Sequence, residues 1–238
     1  MASSTNSLAD SWPAAPVGRV AAPLREQVIT ALRQAIRDFD LKPGQRLVER
    51  ELIEKLGVSR TTIREALREL ASEGLVTVVP QRGAIVSAPS LDEALDLYEV
   101  RAVLESLLAK HFVERASEDE VAELAVTVDN LAQVSRTATD IRAILGAKDE
   151  FYRVLLTGAQ STTLQQLIEG IQARVQVLRA TSLSEAGRSL QVVDELRAIV
   201  EAVRERDAER AASLTADHVR KAAVTALHHL RESENTAS

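Results

Sequence analysis

The sequence contains no cysteine, one methionine and one tryptophan, and aromatic side chains fill only 3% of its 238 positions. Without thiols there is no disulfide scaffold, no thiolate metal centre and no cysteine nucleophile. The lack fits a reducing compartment without requiring one. No apolar run approaches the roughly 18–20 residues that cross a bilayer, so no membrane partner is expected. Residues 1–19 lack a basic start followed by an apolar stretch, which argues against a secretory signal. Their Ser, Ala and Pro content reads as a mobile tail, and the expected location is the cytoplasm. A glycine-rich phosphate loop, a serine-nucleophile setting and a histidine pair at ligand spacing are also lacking. No enzyme is expected, and no cofactor.

Hydrophobic residues make up 45% of the chain and charged residues 27%, with a net charge of -6. That is the profile of a globular protein, and the length suits one large domain or two smaller ones. The charge is uneven. Residues 20–88 carry 11 Lys and Arg against 9 Asp and Glu, whereas residues 89–238 carry 17 against 25. A mildly basic part precedes an acidic one. The seam falls at Ser87-Ala88-Pro89-Ser90, where small residues and a proline suit a linker.

In the basic part, Leu24, Val28, Leu32, Ala35 and Ile36 recur at helical spacing until Lys42-Pro43-Gly44. A short helix is expected from about Glu49 to Leu56, closed by Gly57, and another starts after Ser59 as N-cap. Ile63, Ala66, Leu67 and Leu70 form the apolar stripe of that third helix. Arg60, Arg64 and Arg68 stand one turn apart on another face. Leu75–Val79 and Ala84–Val86 are β-branched runs around Pro80-Gln81-Arg82-Gly83, a hairpin pattern. From Ser90 onward helical periodicity persists through Leu91–Phe112, Val121–Val134, Ile141–Leu156, Leu164–Leu178, Leu190–Val203 and Ala211–Leu230. About six helices follow. Ser117 with Glu120 reads as a capping box, and Asp140 and Asp207 as caps.

Three helices and a hairpin, with arginines on the third helix, are the layout of a winged helix-turn-helix. Its third helix enters the major groove. Arginine can meet guanine O6 and N7 with two hydrogen bonds, while Ser and Thr hydroxyls settle more often on phosphate. Ser59-Arg60-Thr61-Thr62-Ile63-Arg64 supplies both kinds. Gly83 at the wing tip lets the backbone approach the duplex, beside Arg82 and Gln81. A row of three arginines also suits a solvated face paired with Glu65 or Glu69. The surrounding turn and hairpin favour DNA.

Arg50-Glu51-Leu52, the run Leu56–Leu67 (LGVSRTTIREAL) and the run Leu70–Val76 (LASEGLV) resemble the GntR family of bacterial transcription regulators. Leu97–Glu105 (LYEVRAVLE), Phe151 and the Asp207–His218 segment resemble its FadR-like branch with an FCD-type effector domain. The likeness runs over about residues 24–230. After the tail read at 1–19, it implies a mainly α protein: a winged helix-turn-helix at 20–88 and an all-helical effector-binding and dimerisation domain at 89–238. It also implies a homodimer on a near-palindromic double-stranded operator, usually as a repressor, answering to a small-molecule effector. The family's DNA contacts fall on Arg50, Ser59, Arg60, Thr61, Thr62 and Arg64, and on Gln81, Arg82 and Gly83 in the wing.

Many FCD-type domains hold a divalent metal with an Asp or Asn and three His. The matching positions here are Lys148, Tyr152, Leu196 and His218, a set that does not suit a metal. Arg101, Lys148, Tyr152 and His218 are therefore candidates to hold an organic acid directly, with Lys148 supplying the metal's positive charge. Arg174 and Arg179 are further candidates for the cavity. Three of them also have a plainer reading: Arg101 paired with Glu105, Lys148 paired with Asp149 or a nearby carboxylate in a cavity that binds something apolar or nothing, and His218 as a buried, hydrogen-bonded core residue. Two other classes compete with the regulator, an all-helical enzyme and a winged-helix adaptor that binds protein.

Overall fold

The structure is a computed structural model that describes residues 22–37 and 40–237. The stretch 1–19, read above as a mobile tail, lies outside the described residues. Helix α1 (Ala22–Arg37) buries Val28, Ile29, Leu32 and Ile36 on one stripe. Helix α2 (Glu49–Leu56) ends at Gly57, whose φ of 66° lets its N–H reach back to the Ile53 carbonyl. A side chain there would meet the left-handed penalty, which glycine avoids. Helix α3 (Arg60–Ser72) starts on Ser59, whose hydroxyl accepts the Thr62 N–H at 3.2 Å, so the expected cap is present.

Strands β2 (Val76–Val79) and β3 (Gly83–Val86) form the expected hairpin, with Val76 opposite Val86 and Val79 opposite Gly83. The structure adds β1 (Arg46–Leu47), antiparallel to β3, so the sheet order is β1-β3-β2. Two residues are too few to show a period of two, which is why the sequence hides this strand. Leu47, Val76, Ala84 and Val86 face the same core as Ile63, Ala66, Leu67 and Leu70. Each fully buried Ile, Leu or Val contributes roughly 1.5–3 kcal/mol against exposure.

Beyond the linker come α4 (Leu91–Arg115), α5 (Glu118–Thr137), α6 (Ile141–Gly158), α7 (Thr162–Arg174), α8 (Gln176–Ser184), α9 (Arg188–Arg204) and α10 (Ala208–Ala237). These are seven helices among the described residues, against the six counted from periodicity. The run read as one helix from Leu164 to Leu178 is two. It breaks at Val175, which has φ -93° and ψ 5°. Leu164, Ile168, Val175 and Leu178 are buried on both sides of the break, so the apolar pattern carries through it. The capping box of Ser117 with Glu120 forms as expected, and Ser90 with Glu93 makes another. Asp140 and Asp207 accept the backbone N–H groups of Arg142 and Arg210.

One core joins α4, α5, α6, α9 and the start of α10, and a second joins the N-terminal half of α4 to α8 and α10. The winged-helix part and the bundle touch at the end of α7. Ala173 packs on the core of α1 to α3, and Arg174 lies over Gly74, where a Cβ would come within 2.9 Å of its Nε. Arg142 at the start of α6 meets Asp40 at 3.4 Å.

Candidate functional site

The third helix buries Ile63, Ala66, Leu67 and Leu70, so its opposite side must face solvent. Arg60, Thr61, Arg64 and Arg68 are exposed there, with Thr62 half-buried and tied to Ser59 through a 2.8 Å hydroxyl contact. The alternative pairing of this row with Glu65 or Glu69 does not occur. Arg64 reaches Glu49 on α2 at 3.1 Å, and Arg60 and Arg68 make no ion pair among the described residues. Arg50 is 78% exposed with Glu54 at 4.0 Å. At the wing, Gln81, Arg82 and Gly83 are all exposed, and φ is 65° at Gln81 and 80° at Gly83. The left-handed pair turns the chain sharply between β2 and β3, so the tip projects as bare backbone flanked by Arg82. Arg60, exposed at a helix N-terminus and without an ion pair among the described residues, is ready to exchange water for phosphate and base edges.

The second group of candidates is buried. Arg101 on α4 is 1% exposed, and its Nε donates to Glu105 Oε1 at 2.5 Å. Its Nη2 donates to the Tyr152 hydroxyl at 3.2 Å, and that hydroxyl donates to Glu105 Oε2 at 2.7 Å. The ion pair with Glu105 is therefore present, and α4 and α6 are stitched by a closed triangle. Arg101 Nη1 is still left buried without an acceptor among the described residues. Burial works against the Arg101 cation. Its neighbour Glu105 overcomes this and holds the guanidinium charged, while Arg101 in turn keeps the Glu105 carboxyl below its ordinary range.

Lys148 is buried with its Nζ 5.9 Å from the Tyr152 ring centre, and it makes no ion pair among the described residues. The pairing with Asp149 does not form. Asp149 instead accepts from Arg179 Nη2 at 2.5 Å. Burial, and then the charges of Arg101 and Arg179, hold the Lys148 amine well below its ordinary value. His218 is buried and hydrogen-bonded, Nδ1 to Glu195 Oε2 at 2.6 Å, with Nε2 lacking a partner. Burial and the nearby Lys148 push it down to about 4, against the pull of Glu195. A neutral imidazole thus donates from Nδ1 and offers an acceptor at Nε2.

The structure brings in residues that the sequence did not single out. Arg188 grips Glu195 with two hydrogen bonds, 2.9 and 3.1 Å, so Glu195 serves both Arg188 and His218. Burial raises its carboxyl, but these bonds win and bring it down to about 2. Seven residues separate Arg188 from Glu195 on α9, two turns on one face, but no motif distinguishes such a pair. Of the two extra candidates, Arg179 is buried near this cluster, 5.8 Å from the Tyr152 ring, while Arg174 sits at the junction with Gly74. The donor set does not fit a metal: Lys148 is a cation or a buried amine, Leu196 has no donor, and the Tyr152 hydroxyl and His218 Nδ1 are engaged. Among the described residues, three metal-competent donors converge only at His228, His229 and Glu232, on the outer part of α10.

A solvent-facing arginine row on a winged helix, joined to a helical bundle with a charged interior, defines a DNA-binding regulator with a separate ligand domain. The profile described as "Bacterial regulatory proteins, gntR family" matches residues 24–86, and that of the FCD domain matches residues 96–221. The chain belongs to the GntR family of transcription regulators and carries an FCD effector-binding domain. It is a regulator and not an enzyme.

YdhC of Bacillus subtilis, an uncharacterised HTH-type transcriptional regulator, is 25% identical over 78% of this chain and 83% of its own. RspR of Escherichia coli, an HTH-type transcriptional repressor, is 25% identical over 84% of this chain and 87% of its own. A GntR regulator of Rhodococcus sp. RHA1 shares the fold, with a TM-score of 0.73 at 24% identity over 86% of this chain and 97% of that one. No helix among the described residues is long and apolar enough to cross a membrane.

Proposed function

We propose that the protein is a homodimeric, cytoplasmic repressor that reads a near-palindromic operator through residues 20–88 and is released by an organic acid held in residues 89–238. The observation that carries the DNA half is the exposed, unpaired state of Arg60 at the start of α3, beside the exposed wing arginine Arg82. Arg60 and Arg50 are the base readers, Ser59, Thr61 and Thr62 settle on phosphate, Arg64 contacts phosphate or base, and Gln81, Arg82 and Gly83 contact the flanking groove. RspR is named a repressor, which supports that sign of regulation.

Two copies are needed because one recognition helix reads few base pairs. The face built by α4 and α10 supports the pairing. Val103 is 69% and Val224 is 73% exposed there, over an apolar groove of about 490 Å³ that also takes in Leu95 and Leu227. Asp92, Asp96 and Glu99 share the α4 stripe, and Arg220 and Arg231 the α10 stripe. A second copy can therefore set acid against base around a dry centre. For the effector, Arg101, Lys148, Tyr152 and His218 offer a buried site with more cationic groups than anionic ones. A carboxylate arriving between Lys148 and His218 would draw protons onto both and supply the counter-charge that Lys148 lacks.

The deciding experiment is a gel shift on operators selected from genomic DNA, repeated over a salt series. With about 6 phosphate contacts the log-log slope of affinity against salt is near -5. A flat dependence would favour the protein-binding adaptor.

A further inference from the structure

A cleft of about 430 Å³ opens between the winged-helix part and the bundle, walled by Gln34 of α1 and by residues of α6, α7 and α8. It has the size of a small-molecule pocket. Two observations set it apart from an ordinary surface groove. First, four glutamines line it, Gln34, Gln165, Gln172 and Gln176; Gln165 donates to Glu169 at 2.8 Å and Gln176 accepts from Arg179 at 2.9 Å, and each amide carbonyl oxygen has two lone pairs. Second, two buried N–H donors belonging to lining residues have no acceptor among the described residues: Arg179 Nε, on a side chain only 3% exposed, and Gln172 Nε2. An unpaired buried donor is costly, and an occupant bearing oxygen acceptors relieves that cost.

Charge decides the class of occupant. The carboxylates lining the cleft are Asp149, Glu150 and Glu169, against the cations Arg153 and Arg179. Neither cation is free for an anion. Arg153 is held by Glu123 at 2.5 Å and by Glu150 at 2.8 Å, and Arg179 is held by Asp149. The cleft therefore repels organic acids. Leu156, Ala173 and Gly146 supply short apolar stretches between the polar groups.

We infer that this cleft is a second ligand site, taking a neutral polyhydroxylated molecule of the size of a monosaccharide or nucleoside and bridging α1 to α6, α7 and α8. Hydroxyl and carbonyl oxygens of such a molecule accept from Arg179 Nε and Gln172 Nε2, and its hydroxyls donate to the glutamine carbonyls and the carboxylates. Because Gln34 lies on the part that carries α3, the occupant clamps that part against the bundle. The inference does not rest on the organic acid proposed for the interior: the two sites share Tyr152, but the cleft takes in none of Arg101, Lys148 and His218 and differs in charge preference.

The test is calorimetric titration of the full chain with D-glucose, myo-inositol and adenosine, and with D-gluconate as the charged counterpart of glucose. One neutral probe is expected to bind once per chain and D-gluconate to give no heat. Gln172→Leu and Gln34→Leu, both on solvent-reachable side chains, are each expected to weaken that binding about tenfold, one hydrogen bond's worth. The inference is overturned if no neutral probe binds, if gluconate binds as well as glucose, or if Gln172→Leu leaves binding unchanged. Loss with Gln172→Leu but not with Gln34→Leu would overturn the bridging of the two parts.

Discussion

Arginine serves opposite ends in the two halves of this molecule. On the winged helix, Arg50, Arg60, Arg64, Arg68 and Arg82 stand in solvent, where Arg50 and Arg64 make only exposed pairs with Glu54 and Glu49. In the bundle, Arg101, Arg179 and Arg188 are at most 4% exposed and are matched with Glu105, Asp149 and Glu195. Exposed ion pairs contribute about 0–1 kcal/mol, whereas taking one partner from a buried pair leaves an uncompensated charge. The first set is free to be selected for recognition. The second is bound up with stability, so any ligand that uses it must compete with internal partners.

The sharpest test of this contrast is Glu195→Leu, which strands both Arg188 and His218. It is expected to cost about 3–5 kcal/mol in chemical denaturation. A loss comparable to that of an exposed pair such as Arg64 with Glu49 would erase the distinction.

Acid titration tests the same cluster without mutation. His218 has a folded value of about 4 against an ordinary 6.5, so below 6.5 the unfolded chain takes up a proton that the folded chain refuses. Its contribution is complete above pH 6.5 and is lost as pH falls toward 4, on the order of 2 kcal/mol by pH 4.5. Glu195, with a value of about 2 against an ordinary 4.5, adds its own loss only at lower pH. His218→Gln should flatten the stability profile between pH 6.5 and 4.5, and an unchanged slope would count against a neutral buried imidazole.

Lys148 is shifted in the same direction as His218, but its ordinary value lies far above neutrality, so its cost is already present at neutral pH. Its folded value lies below its unfolded one, so at neutral pH folding must strip a proton or bury a charge. Lys148→Met is therefore expected to stabilise the ligand-free protein by about 1–3 kcal/mol. It should also weaken binding of the organic acid while leaving the dimer intact in sedimentation. Destabilisation would mean that the ammonium is compensated in the interior.

The smallest change in the folded protein should come from Arg60→Ala. Circular dichroism and melting should be nearly unmoved, within roughly 0.5 kcal/mol for an exposed site. Operator affinity should drop by about 1–3 kcal/mol per half-site, seen as a lost gel shift. Unchanged affinity would remove Arg60 from the reading set.

The DNA-reading half was legible in the sequence because its signals are local. Ser59 caps α3 within three residues, Gly57 ends α2 within one, and the apolar stripe of Ile63, Ala66, Leu67 and Leu70 fixes by helical geometry which side Arg60 and Arg64 take. The two-residue β1 escaped, being too short to have a period, and so did the break at Val175, where burial on both sides preserves the apolar spacing. In the bundle, Lys148, Tyr152, Leu196 and His218 could be singled out from the sequence only through the resemblance to FCD-type domains, which implies that they match that family's metal-ligand positions. Only the tertiary structure decided what surrounds them. Glu105 and Arg101 meet Tyr152 from 47 and 51 residues away, Arg179 takes Asp149 across 30, and His218 finds Glu195 across 23. Partner choice at such separations depends on how helices pack and how deeply each charge is buried, and neither is encoded in the spacing of residues along one helix.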